Sequence, residues 1–180
     1  MLQITIPDTE LWDEQKQEFI NVKKQTLQLE HSLVSLSKWE SKWRKAFLTK
    51  KEKNAEEILD YIRCMTLTQN VKPEVYKCLS NKHFTAIKDY IESPMTATVF
   101  SESTNTKGSS EVATSELIYY WMIALNIPFE CQKWHINRLL TLIKVCSIKN
   151  SPPKKRSARE LYSRNSALNA ARRKQLNSRG

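Results

Sequence analysis

The stretch SELIYYWMIALNIPFECQKWHINRLLTLIKVC, Ser115 to Cys146, constrains the fold more than any other part of the chain. Thr114 is placed to cap a helix reaching about Leu125, NIP turns the chain, and Pro128 fits a first-turn proline. A second, long helix to about Cys146 is expected to follow. On a helical wheel Phe129, Ile136, Leu139, Leu140, Leu142, Ile143 and Cys146 fill about half the circumference, with Cys131 and His135 at its edge. Such a pair of helices demands a shared apolar core.

Upstream, LQITI alternates apolar and polar residues and stops at Pro7, the period of a half-buried strand. EFINV and TLQLEH flank the polar KKQ and read as a β-hairpin. From Ser32 the period becomes helical, with Leu33, Leu36, Trp39, Glu40, Trp43 and Phe47 on one face and Lys38, Lys42 and Lys45 opposite. Asn54 and Glu57 have capping-box spacing ahead of a helix carrying Ile58, Leu59, Tyr61, Ile62 and Met65. Pro73 opens a short helix, and Ser80 or Asn81 caps another that ends before Pro94. MTATVF and SSEVAT bracket a polar loop, Ser101–Gly108, and read as a second hairpin or an excursion between helices.

Charge is segregated. Residues 147–180 hold ten Lys or Arg against Glu160 alone, whereas residues 1–146 hold 19 basic and 18 acidic side chains. The basic character therefore belongs to a tail, and a nucleic-acid role for the body does not follow from it. KNSPPKKRS breaks the helical pattern, which places the boundary near residue 150. In the tail only Leu161, Leu168 and Ala171 share a helical face, too little for an independent core. The expected architecture is an α+β fold, a predominantly helical single domain (1–150) with small N-terminal and central β-hairpins. A basic tail (151–180), flexible or made helical by a partner, follows it.

The chemistry-bearing residues weigh toward packing. Cys131 and His135 are four apart and could share one metal, but Cys146 would lie on the order of 22 Å farther along a single helix. A zinc site would need Cys64, Cys78, His83 or His31 brought in by the fold, and no CxxC pair is present. A Cys–His nucleophile lacks an orienting third group and an oxyanion loop. With only Gly108 and Gly180, phosphate-cradling loops are absent. The acidic pairs Asp13/Glu14 and Glu56/Glu57 fit helix starts. No catalytic residue, metal or cofactor is expected. The N-terminus has no basic region followed by an apolar block, and no apolar run approaches a bilayer span, so the expected setting is soluble and reducing, with four free thiols.

A helix–turn–helix DNA reader is the sharper alternative for the 115–146 pair, but its second helix offers only Lys133, Arg138 and Lys144 as basic side chains. The tail clusters Lys154, Lys155, Arg156 and Arg172, Arg173, Lys174 suit an acidic protein or nucleic-acid surface, the latter weakly and without sequence preference. Trp39, Trp43, Phe47, Trp121 and Trp134 are more aromatic surface than a modest helix pair requires, and are candidate contacts for a partner.

QTLQLEHSLVSLSKWESKW (Gln25–Trp43), the Ser115–Cys146 stretch and the closing PPKK…RNSALNAARRKQLN together resemble tail assembly chaperones of long-tailed bacteriophages and prophages. The resemblance spans most of the chain. It implies a non-enzymatic protein of the host cytoplasm that binds the tape-measure protein during tail morphogenesis and is absent from the finished virion. A chaperone coating a rod would also self-associate into a spiral or filament. Two other functions remain open: a DNA-binding regulator or packaging accessory, and a structural tail or connector component of the virion.

Overall fold

The structure is a computed structural model and describes residues 1–13, 17–49, 51–100, 112–151 and 158–177. Strands β1 (Leu2–Ile6), β2 (Thr9–Asp13), β3 (Glu18–Val22) and β4 (Gln25–Leu29) precede all the helices. Helices α1 (Leu33–Trp43), α2 (Ala55–Met65), α3 (Pro73–Lys77), α4 (Asn81–Glu92), α5 (Ser115–Ala124), α6 (Ile136–Asn150) and α7 (Ala158–Leu176) follow, with a 3-10 helix (Phe129–Lys133) between α5 and α6. The fold is α+β and mainly helical. It divides into two compact units, Met1–Ile148 and Lys149–Gly180.

The strands pair in a nested order, β1 with β4 and β2 with β3, both antiparallel. The expected hairpin of β3 with β4 across KKQ does not form. Lys23 and Lys24 supply no Gly or Asn for a tight primed turn, whereas the Ile4–Leu27 and Leu2–Leu29 pairs match apolar to apolar. Both ladders keep one register, so the four strands are successive halves of a single ribbon. Pro7, without an N–H, interrupts it. Beside this break the Lys24 N–H donates to Asp8 Oδ1 at 2.7 Å, and the Thr9 hydroxyl donates to the Pro7 carbonyl at 3.1 Å. Ile4 and Ile6 point into the core before the break, and Leu11 with Ile20 are the half-buried pair after it. The inward set thus moves from even to odd positions along the first strand. Asp13 closes β2 rather than opening a helix.

Ile4, Ile6, Leu27 and Leu29 meet Leu33, Leu36 and Trp39 of α1, Tyr61, Ile62 and Met65 of α2, Ile118 and Met122 of α5, and Ile136, Leu139 and Ile143 of α6. The outer edge of β4 is covered by the chain leaving α2: Leu67 N–H donates to the Gln28 carbonyl at 2.8 Å and Glu30 N–H to the Met65 carbonyl at 2.9 Å. Covering the edge removes a template for unwanted strand pairing. The capping box of α2 forms as its spacing predicts, with Glu57 N–H on Asn54 Oδ1 at 2.7 Å and Asn54 N–H on Glu57 Oε2 at 3.0 Å. Thr114 caps α5 with a single bond, its hydroxyl oxygen accepting the Leu117 N–H at 3.4 Å.

Two further expectations are corrected. The long helix after Pro128 is broken, because Trp134 is extended and His135 forms a β-bridge with Ser32. Ile136 N–H donates to the His31 carbonyl at 2.7 Å, so backbone pairing with the β4–α1 junction replaces one turn of helix. The central hairpin is also absent among the described residues: 95–100 and 112–114 carry no strand, and 101–111 lie outside them.

Candidate partner-binding surfaces

The aromatic stripe of α1 turns mostly inward. Trp39 is 1% exposed, and its indole N–H donates to the Glu57 carbonyl at 2.9 Å. Burying a ring of this size contributes about 2–3 kcal/mol. Its surface is spent on the core and is closed to a partner. Arg44, at φ 51°, ends α1 in the left-handed region and turns the chain so that Phe47 stacks on Tyr61 with ring centres 3.7 Å apart. Trp43 is half-buried; its indole N–H donates to Asp60 Oδ2 at 2.8 Å, and the Lys42 and Lys45 ammonium groups lie within 6 Å of its ring. Those same lysines donate to Asp60 and Glu57. Burial pushes the Asp60 carboxyl up, but Lys42 and Trp43 outweigh it and hold the group below the usual range. The Lys45 ammonium and the Asn54 backbone N–H likewise hold Glu57 low.

Trp121 and Trp134 are half-buried and packed against the core. The Arg138 guanidinium lies 4.1 Å from the Trp134 ring centre, and Lys144 lies 4.0 Å from that of Phe100. These two basic side chains of α6 are therefore engaged with rings of their own chain.

Cys131 and His135 do not share a helix face. Cys131 is buried in the 3-10 helix, and His135 is the residue before α6. His135 Nε2–H donates to the Tyr90 carbonyl at 3.0 Å, and its Nδ1 accepts the Asn137 N–H at 3.3 Å. Its ring meets that of His31 edge to face at 5.0 Å, and His31 Nδ1 lies 2.6 Å from the Tyr61 hydroxyl. Burial, reinforced by His135, lowers the His31 pKa to about 3, and burial also lowers that of His135. The hydroxyl of Tyr90 donates to Glu30 Oε1 at 2.6 Å. This network ties β4, α2, α4 and α6 together, and both imidazoles are satisfied in the neutral form. His83 caps α4, taking the Ser80 N–H at 3.2 Å. All four cysteines are free, and among the described residues no three or more His, Cys, Asp or Glu cluster as a metal site.

Among the described residues two pairs of exposed aromatic or apolar side chains mark candidate contact surfaces, and neither stands out from hydrophobic count alone. The first is the outer half of the ribbon, where Trp12 and Phe19 are cross-strand partners in edge contact at 4.9 Å. They are 52% and 68% exposed. The second lies on α5 and the 3-10 helix. Ile118 and Met122 fill the core, leaving Tyr120 and Ile123 61% and 60% exposed, and the exposed Phe129 lies with its ring centre 6.5 Å from that of Tyr119. Apolar residues on all sides of a helix indicate burial, and α5 is only half covered. A wheel drawn over 115–125 would have flagged it, whereas Trp12 required knowledge of the β2–β3 pairing.

In the second unit every α7 side chain described, Arg159 and residues 162–177, is exposed. Arg172, Arg173 and Lys174 occupy its last turns; Lys154, Lys155 and Arg156 lie outside the described residues. No described helix is long and apolar enough to cross a membrane. No family model, curated protein or solved structure matches the chain.

Proposed function

We propose that this chain is a non-enzymatic assembly chaperone for a long helical structural protein, the tape-measure protein of a phage tail. The observation that supports this reading is the half-covered helix α5, whose outer face presents Tyr120 and Ile123, with the exposed Phe129 against its Tyr119. An apolar strip of this kind takes the apolar face of another helix laid along it, and exposed contiguous apolar surface marks interaction sites. The surrounding fold suits a rigid platform, since α5 is anchored by Ile118, Met122 and the Glu40 carboxylate behind it. The partner's name comes from the resemblance of Gln25–Trp43 and Ser115–Cys146 to tail assembly chaperones; the surface supports only its helical, apolar chemistry.

Co-expression with a tape-measure protein tests the proposal. The chain is expected to keep that protein soluble and to co-purify with it. The double substitution Tyr120→Ser and Ile123→Ser, made on the solvent side, is expected to abolish the complex while leaving the chaperone folded. A tape-measure protein that stays insoluble with the wild-type chain overturns the reading.

A further inference from the structure

Helix α7 is 19 residues long, and every side chain described on it faces solvent. From Tyr162 to Asn177 it carries Arg164, Arg172, Arg173 and Lys174 and no acidic residue. Among the described residues no carboxylate pairs with these cations. Basic side chains of the first unit differ: Lys42 and Lys45 are held by Asp60 and Glu57, and Arg138 and Lys144 lie over Trp134 and Phe100. A helix without an apolar stripe gains little from forming alone and is stabilised by what it binds.

The polar groups of α7 are arranged. Around the helix Asn165, Asn169, Arg172 and Arg173 fall within one sector of about 100°. Arg164 lies about 80° beyond one edge of it and Lys174 about 100° beyond the other. Tyr162 and Leu176 close the sector at its two ends, while Leu168 and Ala171 lie off it, on the side of Arg164. Carboxamides and guanidiniums are the groups that bond adenine and guanine edges in pairs, and the major groove of B-form DNA admits a helix. Asn165 to Arg173 covers about 12 Å of helix, the rise of about three or four base pairs. Cations on both flanks then face the phosphates of the two groove walls. A protein partner would be met by apolar anchors three or four residues apart, and a membrane surface by a broad apolar face. The sector offers neither.

We infer that α7 lies in the major groove of duplex DNA, with Asn165, Asn169, Arg172 and Arg173 toward the base edges and Arg164 and Lys174 toward the phosphates. Charge alone gives attraction without sequence preference; the shared amide and guanidinium face adds a preference. DNA recognition then resides in the second unit and not in the helical pair of residues 115–146. No residue of α5 takes part, so the contact stands or falls separately from the tape-measure partner.

Selection by the full chain from duplex DNA with a randomised centre of about ten base pairs, one helical turn, tests this. Fluorescence anisotropy between about 50 and 200 mM salt then compares the selected duplex with a scrambled one. The selected duplex is expected to bind at least about tenfold tighter. Asn165→Ala/Asn169→Ala is expected to erase that preference and leave the salt dependence unchanged. Alanine favours helix over asparagine, so such a loss is not one of folding. Arg164→Gln/Lys174→Gln is expected to weaken both duplexes alike and to reduce the slope of log affinity against log salt by about 2. A selection that returns no preferred sequence overturns the assignment, as does a preference that survives Asn165→Ala/Asn169→Ala. Equal binding to an RNA duplex of the selected sequence also overturns it, because the deep, narrow groove of that duplex leaves phosphate attraction alone. So does poly-glutamate bound as tightly as the DNA, which assigns the tail to an acidic protein.

Discussion

The carboxylate of Glu40 accepts the backbone N–H of Ser115 at 2.7 Å, fastening the middle of α1 to the first residue of α5. Its other oxygen takes the Phe47 N–H at 2.8 Å. Glu40 is buried, and its carboxylate sits where the dipole of α5 favours an anion. Glu40→Ala is expected to lower unfolding stability by about 3 kcal/mol, measured in urea. Glu40→Gln keeps one acceptor and should lose about half as much. An alanine variant as stable as the wild type would remove this role.

Acid should unfold the chain before its carboxylates titrate. His31 and His135 both bind protons less readily in the fold than an unfolded histidine near 6.5 does. Below that pH the unfolded chain therefore holds more protons than the folded one, and stability falls as pH falls. For His31 the loss continues down to its folded value of about 3, with a limiting slope of about 1.4 kcal/mol per pH unit. Glu57 and Asp60, both depressed, add a loss of the same sign only near and below the ordinary carboxylate range. Urea melts from pH 7 to pH 5 isolate the histidines, and His31→Gln is expected to flatten the slope. An unchanged slope in that variant contradicts the assignment.

The two tryptophans Trp39 and Trp12 should behave oppositely. Trp39→Ala empties a fully buried site and is expected to cost about 4 kcal/mol. Trp12→Ala removes an exposed ring and one cross-strand contact, a loss of under about 1 kcal/mol. Thermal melts distinguish them. Equal losses would mean that the ribbon's outer half is covered in the isolated protein.

Hydrogen exchange should resolve the break in the ribbon. Asp8→Ala removes the acceptor of the Lys24 N–H, so exchange at that amide is expected to speed up with a global loss of about 1 kcal/mol. Leu27, which pairs with Ile4 in the uninterrupted ladder, should keep its protection. Faster exchange at both amides would make the Asp8 contact part of the whole ribbon's cooperativity.

Local signals were readable wherever neighbours in sequence decide the geometry. The Asn54–Glu57 capping box, the Thr114 cap, the first-turn Pro73 and the strand ending at Pro7 all depend on groups within a few residues. The ribbon topology was not readable, because β3 has a neighbour on either side in sequence and pairs with β2, while β4 pairs with the distant β1. The helix wheel over 129–146 also misled: it has no means of including the His31 carbonyl, which captures the Ile136 N–H from more than a hundred positions away.

The same division applies to the candidate contacts. Sequence alone established a charge-balanced body, a cationic tail, helix-forming periodicity and a supply of aromatic rings, since these follow from composition and spacing. Which rings face outward was decided by the tertiary fold. Trp39 went into the core because α2 offers its ring a hydrogen-bond acceptor and an apolar wall, while Trp12 stayed in solvent because the ribbon turns its other face, Leu11 and Ile20, toward the protein. Burial is a property of what an element packs against, and that information lies in distant parts of the chain.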